Sequence, residues 1–386
     1  MDFNNVPDDE RFRQEVRSAL DEMWPEEKRG IHLERTNPED RIVFRKAAAA
    51  RGWLSLGWPA EYGGRPISPM QKYILSSEAS RAGAPLSLYV VNIMGPLIIK
   101  HGSKWMKDEI LPRIRNGDCD FVLGFTEPET GSDLANLQTR AVREGDEYVI
   151  NGQKMYGNPK PGDIMYLACR TNPGAPIRKG ISVIFVEHGT EGFTVTQMPT
   201  LGMGHVGATF YDNVRVPADH LLGEENRGWD YIREAVDLDR TSGIPYGHMP
   251  LLMDELIALV KNSSVNGRPL REDPWVRDRL AQIVIEMEAG EQLQGMTASK
   301  IAADLKLRSE SSVVKIFMTE LERRLGEFGM EVSGPLAPLT REDPDAPARG
   351  QIAATWQANP GITIAGGSNE IQRNIIALQG LGLPRD

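Results

Sequence analysis

The chain has 386 residues, a formal net charge of −10, and a composition that is 40% hydrophobic and 25% charged. This length predicts two or three domains, with enough apolar side chains to form sizeable cores. The acidic balance argues against a nucleic-acid binder, which needs a basic face, but it does not exclude a local basic pocket for a phosphate-bearing ligand.

The cysteine and histidine content indicates a protein without disulfides or metal. Cys119 and Cys169 are the two cysteines, and the histidines show no metal-ligand spacing. The acidic N-terminal segment lacks the basic start and apolar run of a signal peptide, and no run approaches the roughly 18 apolar residues of a membrane span. We therefore expect a soluble, cytoplasmic protein.

The first third of the chain has the apolar spacing of helices. Phe12, Val16 and Leu20 recur at helical intervals after an acidic start, which predicts one apolar face. Further helical patterns cover the ranges 69–81, 86–101 and 105–116.

Between residues 121 and 228, short β-type runs alternate with turn residues. The candidate strands are 148–150, 181–187, 193–198 and 208–216. The first run follows the turn Glu144-Gly145-Asp146 and leads into Asn151-Gly152, and both are hairpin signals. This spacing predicts an antiparallel sheet or barrel, because alternating βαβ units would need helical stretches between the strands.

Helical patterns return after residue 228 and continue to the end. The ranges 275–294 and 311–330 are long, carry one charged face, and are expected to pack together in a four-helix bundle. The proline-rich range 334–350 is predicted to be a loop. The sequence thus predicts an α+β multidomain protein with a helical domain (1–119), a β domain (120–228) and a helical bundle domain (229–386).

The segment 125–133, FTEPETGSD, is the first that carries chemistry. By its composition it is a polar, turn-rich loop in which Asp and Ser cap backbone amides. Its order resembles the TEPxxGSD signature of acyl-CoA dehydrogenases. The resemblance implies FAD as the cofactor, with Phe125, Thr126, Gly131 and Ser132 beside it, and Ser132 also beside the acyl chain of the substrate.

Three more segments resemble the same family in the same chain order. WLSLGWPAEYGG at 53–64 is similar to its GWPxEYGG turn, NGQK at 151–154 to its NGxK turn, and GGSNEIQR at 366–373 to its EGTxxIQR segment. Four ordered matches are far more specific than one. They imply the family's arrangement of a helical domain, a β domain and a second helical domain.

Two regions depart from the family pattern. Where the family has Trp-Ile-Thr or Trp-Ile-Ser, whose hydroxyl bonds flavin N5, this chain places Tyr156 and Asn158. The resemblance then implies that Asn158 offers an amide donor to N5 and that Tyr156 covers a ring face. Ser368 and Glu370 occupy positions of cofactor contact, and Gly367 one of substrate contact. Ser368 is also a plausible helix N-cap by residue type.

The family's usual catalytic glutamate corresponds to Gly366, which has no side chain to accept a proton. Some members carry the base on the helix after the β domain, just before an arginine. Asp239 occupies that position, and Arg240 matches the arginine that binds the ligand. Glu370 is a second candidate. The alternative is that Asp237 and Asp239 are solvated residues near a helix start, where the helix dipole favours them.

The resemblance implies FAD-dependent α,β-dehydrogenation of an acyl-CoA or acyl-carrier thioester. A carboxylate would remove the α proton while hydride passes to flavin N5, and an electron-transfer flavoprotein would be the acceptor. A homotetramer is expected. The alternatives are a non-catalytic partner subunit of a heteromer with a paralogue, and a flavin monooxygenase on the same scaffold. The arginine that binds the FAD pyrophosphate in the family is absent here, and Arg268 is the candidate to replace it.

Overall fold

The structure is a computed structural model that describes residues 7–29, 38–86, 90–202, 204–241, 248–303, 305 and 307–384. Within these ranges, the side chains of residues 27, 38, 237, 239, 240, 241 and 302 are not described. Among the described residues, no helix is long and apolar enough to cross a membrane.

The N-terminal part is helical. Its helices are α1 (Pro7–Met23), α2 (Pro38–Ala50), α3 (Pro69–Arg81), α4 (Gly95–His101) and α5 (Leu111–Arg115). The predicted apolar face of α1 is buried, and it packs against Phe44 of α2 and Ile74 of α3. Helix α2 was not predicted, because the exposed apolar residues Ile42 and Val43 interrupt its helical pattern of apolar spacing.

Two predicted helices begin later than expected, because each is preceded by a π-turn. Val90–Met94 is such a turn before α4, and Met106–Ile110 is one before α5. Pro96 and Pro112 are the second residues of the helices that follow. A proline ring clashes with the carbonyl four residues earlier in an α-helix, and the wider π-turn avoids that clash.

The middle part is a curled sheet of seven strands. They are β1 (Phe121–Gly124), β2 (Arg140–Glu144), β3 (Glu147–Met155), β4 (Ile164–Arg170), β5 (Ile181–Glu187), β6 (Phe193–Pro199) and β7 (His205–Pro217). The order is β1-β4-β2-β3-β7-β6, and β5 pairs with β4. Most strand pairs are antiparallel, as predicted. The exceptions are β1 and β2, which both pair with β4 in parallel, β1 with the first residues of β4 and β2 with its last residue.

Of the two hairpin signals, the turn Glu144-Gly145-Asp146 is confirmed, because β2 and β3 pair across it, and the signal at Asn151-Gly152 was wrong. Strand β3 runs through these residues with a bulge, and the hairpin turn lies earlier, between Glu144 and Glu147. A Cβ atom at Gly152 would come within 2.7 Å of Thr139 Cα. This glycine therefore allows a close approach of backbones rather than a reversal of the chain.

The C-terminal part is again helical. Its helices are α6 (Gly228–Thr241), α7 (His248–Asn262), α8 (Pro274–Ala302), α9 (Glu310–Ser333), α10 (Gln351–Ile364) and α11 (Asn369–Ile375), with a short ribbon of β8 (Ser264–Val265) and β9 (Arg268–Pro269). The predicted packing of α8 and α9 is confirmed, and α9 also contacts α7, α10 and α11. The range 334–350 holds only short 3₁₀ turns, as predicted.

Candidate active site

The 125–133 loop follows β1, and it contacts the end of β3 before the chain continues into β2. Glu127 and Thr130 close a tight turn through two backbone hydrogen bonds of 2.9 and 3.2 Å, and Met155 N donates to Thr126 O at 2.7 Å. Phe125 is half-buried and packs edge-on against the buried Tyr166 ring. The loop is therefore fixed to the end of β3.

A buried ion pair holds this loop from beneath. Lys154 Nζ donates to Glu127 Oε1 at 2.8 Å and to Phe125 O at 3.1 Å, and both charged side chains are almost fully buried. Glu127 also accepts from the backbone N–H groups of Gln138 and Thr139. Burial opposes ionisation of Glu127, but Lys154 and these donors outweigh it and lower the pKa of the carboxyl. The TEPxxGSD and NGxK segments are thus one structural unit.

The two residues that depart from the family pattern lie just past β3. Tyr156 is 65% exposed and has a φ of +69°, which is unusual for a residue with a Cβ atom. Asn158 Nδ2 donates to His205 O at 2.8 Å, and its Oδ1 accepts from Gln197 at 3.3 Å. The Asn158 amide therefore already holds the neighbouring strands, which leaves one of its N–H groups for a ligand.

The C-terminal segment makes a turn between α10 and α11, which we call the 365–368 turn. Gly366 has a φ of +68°, and a Cβ atom added to it would meet nothing within 4 Å. Ser368 Oγ accepts from Ile371 N at 3.4 Å, so the residue is the N-cap of α11. Glu370 is exposed, and hydrogen bonds from its own amide and from Ser368 lower the pKa of its carboxyl. These bonds hold the carboxylate at the helix N-terminus.

Asp239 and Arg240 lie on the last turn of α6, and their side chains fall outside the described residues. Their position corrects the alternative that Asp237 and Asp239 stand near a helix start, because both are near its end. There the helix dipole disfavours a carboxylate. The body of α6 is anchored through Glu234, which binds Lys100 Nζ at 2.7 Å and His101 Nε2 at 2.8 Å.

The site residues thus form three groups. Phe125 and Thr126 contact the strand end that precedes Tyr156, Ser368 and Glu370 share one helix start, and Asp239 lies on α6. In the described part of the chain, no hydrogen bond links the 125–133 loop to the 365–368 turn. The Glu127–Lys154 pair was not predicted, because the two residues lie 27 positions apart in two separate motifs and only their opposite charges relate them.

Models of the acyl-CoA dehydrogenase N-terminal, middle and C-terminal domains match residues 7–118, 122–214 and 226–381. The chain is 36% identical to acyl-CoA dehydrogenase FadE26 of Mycobacterium tuberculosis over all of this chain and 99% of that protein. It is 35% identical to FadE29 of the same organism, with the same coverage.

Solved structures give the same result. The Tcur3481-Tcur3483 steroid ACAD superposes with a TM-score of 0.92 at 35% identity, and the ChsE4-ChsE5 complex from Mycobacterium tuberculosis with 0.89 at 34%, each over the full length of both chains. The chain therefore belongs to the acyl-CoA dehydrogenase family, a family of oxidoreductases. Its members are FAD flavoproteins, and FAD is the cofactor of this chain.

The residues of the 125–133 loop fit such a cofactor. Thr130 Oγ1 is buried and has no hydrogen-bond partner among the described residues. A Cβ atom at Gly131 would meet nothing within 4 Å, and Ser132 is exposed beside it. Tyr156 adds an exposed aromatic ring directly after Met155, the residue that bonds to Thr126 of this loop. A flat ring with polar edges suits this combination of one unpaired hydroxyl, an open glycine and an exposed aromatic ring.

Proposed function

We propose that the chain oxidises the Cα–Cβ bond of an acyl-CoA thioester. When bound, FAD supplies the acceptor for the hydride that leaves the β carbon. The observation that carries the proposal is the fixed unit of loop and strand end, held by the buried Glu127–Lys154 pair, within a chain that matches the family along its whole length. The domain boundaries after residues 119 and 228 are part of the proposal.

The roles of the binding residues follow from their positions and from the family. The cofactor would be held by eight residues, namely Phe125, Thr126, Gly131, Ser132, Tyr156, Asn158, Ser368 and Glu370. Ser132, Arg240 and Gly367 would bind the thioester. The exposure of Ser132 and Gly367 supports this assignment, since a binding surface must be open before the ligand arrives.

Asp239 is the proposed base that takes the α proton. Gly366 removes the usual carboxylate, and a thioester α proton is too weakly acidic to leave without a positioned acceptor. Asp239 precedes Arg240 on a helix that Glu234 fixes to α4. Asp239 lies in the last turn of α6, where the helix dipole does not favour a carboxylate, so the helix itself does not explain an acidic residue at this position.

The acyl group is proposed to be bulky. Open space surrounds the position where Gly366 would otherwise carry a side chain. One relative of known structure, 35% identical to this chain, is a steroid acyl-CoA dehydrogenase. A ring-bearing acyl thioester is therefore the favoured substrate class, with an electron-transfer flavoprotein as acceptor and an oligomer as the working form. The neighbouring ChsE4-ChsE5 structure is a complex of two chains, so a paralogue is the alternative partner to a second copy.

Anaerobic mixing of the purified flavoprotein with acyl-CoA thioesters tests the function. The visible absorption of the flavin should bleach within the enzyme's turnover time, and the enoyl thioester should form in equal amount. A ring-bearing thioester should bleach the flavin faster than a short straight-chain one. A flavin that keeps its absorption with every thioester, while dithionite still reduces it, would reject the proposal. Activity gained only on adding a second chain would favour the heteromer.

A further inference from the structure

Helix α9 presents a polar stripe to the 365–368 turn. Ser312, Lys315 and Thr319 are spaced by three and four residues, so they share one face of the helix. All three are buried, with exposed fractions of 0%, 3% and 2%. The reaction proposed above uses none of them.

Lys315 bonds to both sides of the turn. Its Nζ donates to Thr363 O at 2.7 Å and to Asn369 Oδ1 at 2.7 Å. Thr363 is in the last turn of α10, and Asn369 is the first residue of α11. Within the described part of the chain, Lys315 has no carboxylate at ion-pair distance, and Glu370 and Glu320 act on it only from farther away.

The same stripe reaches the middle of the turn through Gln372. Its Nε2 donates to Gly366 O at 3.2 Å and to Gly367 O at 3.1 Å, while its Oε1 accepts from Ser312 Oγ at 2.7 Å. Both glycines have positive φ, so their own conformational preferences do little to fix the turn. The turn therefore takes its shape from α9 and α11.

A buried ammonium group without a paired carboxylate is unfavourable, and an apolar side chain would fill this place at lower cost. A purely structural explanation of Lys315 is therefore weak. The two groups that accept from Lys315, on Thr363 and Asn369, lie on either side of the 365–368 turn. This turn contains Gly366, which occupies the position of the family's catalytic glutamate.

We propose that Lys315 is a positioning residue whose protonated amine fixes the 365–368 turn in the shape that receives the acyl group and the flavin. This inference rests on the proposed function, which places the turn in the active site. Lys315 touches neither ligand and acts through Thr363, Asn369 and the turn between them.

The proton on Lys315 gives the inference a specific signature. Burial lowers the pKa of the Lys315 ammonium to about 8. The neutral amine formed at higher pH still donates hydrogen bonds, but these are weaker than charge-assisted ones. The charged groups facing the network are Glu320, Glu370 and Arg373, and carboxylates and guanidinium groups do not ordinarily titrate between pH 7 and 10.

Two readouts should move in opposite directions as the pH rises from 7 to 9.5. The KM for acyl-CoA and the Kd for FAD of the wild-type protein should each rise about fivefold, since the bonds that hold the turn weaken. The folded state, however, should become more stable. Between the folded pKa of about 8 and the unfolded value of 10.5, only the unfolded chain keeps the proton on this lysine, so stability rises with pH.

The comparison is with Lys315→Met, which removes the donors and the titration. At pH 7, its KM for acyl-CoA and its Kd for FAD should already be about fivefold higher than those of a matched control. Both constants should then remain unchanged up to pH 9.5. Lys300→Met is that control, because Lys300 pairs with Glu310 at the start of the same helix without contacting the turn. The Tm difference between wild type and Lys315→Met should shift in favour of wild type as the pH rises.

The inference would be overturned if Lys315→Met had the same KM for acyl-CoA, the same Kd for FAD and the same pH dependence as the wild type. A lysine needed only for folding would change Tm and ligand affinity in the same direction, and this result would overturn it as well. If Lys315→Met does not fold, Lys315→Gln and the wild-type pH profiles carry the test. FAD binding to the apoprotein, followed by flavin fluorescence, and Tm need no turnover. They therefore support or reject the role of Lys315 even if no thioester bleaches the flavin.

Discussion

The buried Glu127–Lys154 pair provides the sharpest test of how the active-site loop is held. Glu127→Gln keeps the shape of the side chain but leaves the Lys154 ammonium buried without its counter-charge. Both side chains have exposed fractions of 5% or less. Removal of one partner of such a pair should lower the free energy of unfolding by about 3–5 kcal/mol.

Glu147→Gln is the matched control for this variant. Glu147 pairs with Arg215 in the same sheet, but both side chains are about half exposed. Solvent screens such a pair, so its loss should cost only about 0–1 kcal/mol. Denaturant unfolding of both variants, followed by circular dichroism, measures the difference. Restored stability in the double variant Glu127→Gln with Lys154→Met would show that the stranded charge is the cause.

The pH dependence of this effect has a definite sign. The pKa of Glu127 is lowered in the folded state from an ordinary value of 4.5. Its contribution to stability is therefore complete above pH 4.5 and is lost as the pH falls through the folded value. The wild type should lose its advantage over Glu127→Gln in this acidic range. Equal stability of Glu127→Gln and Glu147→Gln at pH 7 would refute the reasoning.

Two further substitutions test the ligand assignments. Tyr156→Gly should keep or slightly raise the Tm, because it relieves a φ of +69° at an exposed residue, yet it should weaken FAD binding about tenfold; unchanged FAD affinity in a fluorescence titration would remove Tyr156 from the site. Gly366→Leu should cost about 1–2 kcal/mol of stability, since a Cβ atom meets no neighbour there but the backbone of the new residue must adopt a φ of +68°. This variant should lower kcat/KM far more for a ring-bearing thioester than for a short one, and equal losses would argue against a bulky substrate.

The order of helical, β and helical parts was predictable because each part has its own sequence period. Phe12, Val16 and Leu20 recur at helical spacing and are buried together as expected. Helix α2 escaped because two of its apolar residues face outward, and tertiary packing of Phe44 and Ala48 decides its place. Asn151-Gly152 misled because a bulge and a hairpin turn use the same residue types.

The active-site motifs could be identified from the sequence, but the contacts that hold them in place could not. Lys154 and Glu127 are 27 positions apart, and Lys315 and Asn369 are 54 apart. Such pairs repeat at no helical or strand period, so only the fold brings them together. The position of Asp239 at the end of α6 likewise depended on where the helix stops, which is the least predictable property of a helix.

The most direct test of the central claim is the rate of anaerobic flavin bleaching by acyl-CoA in Asp239→Asn, with Asp237→Asn as control. Both substitutions remove one carboxylate from the same turn region of α6. If Asp239 takes the α proton, Asp239→Asn should bleach about 100- to 10,000-fold more slowly than wild type, and Asp237→Asn at nearly the wild-type rate. Bleaching of Asp239→Asn at the wild-type rate would contradict the account and would assign the proton transfer to another group.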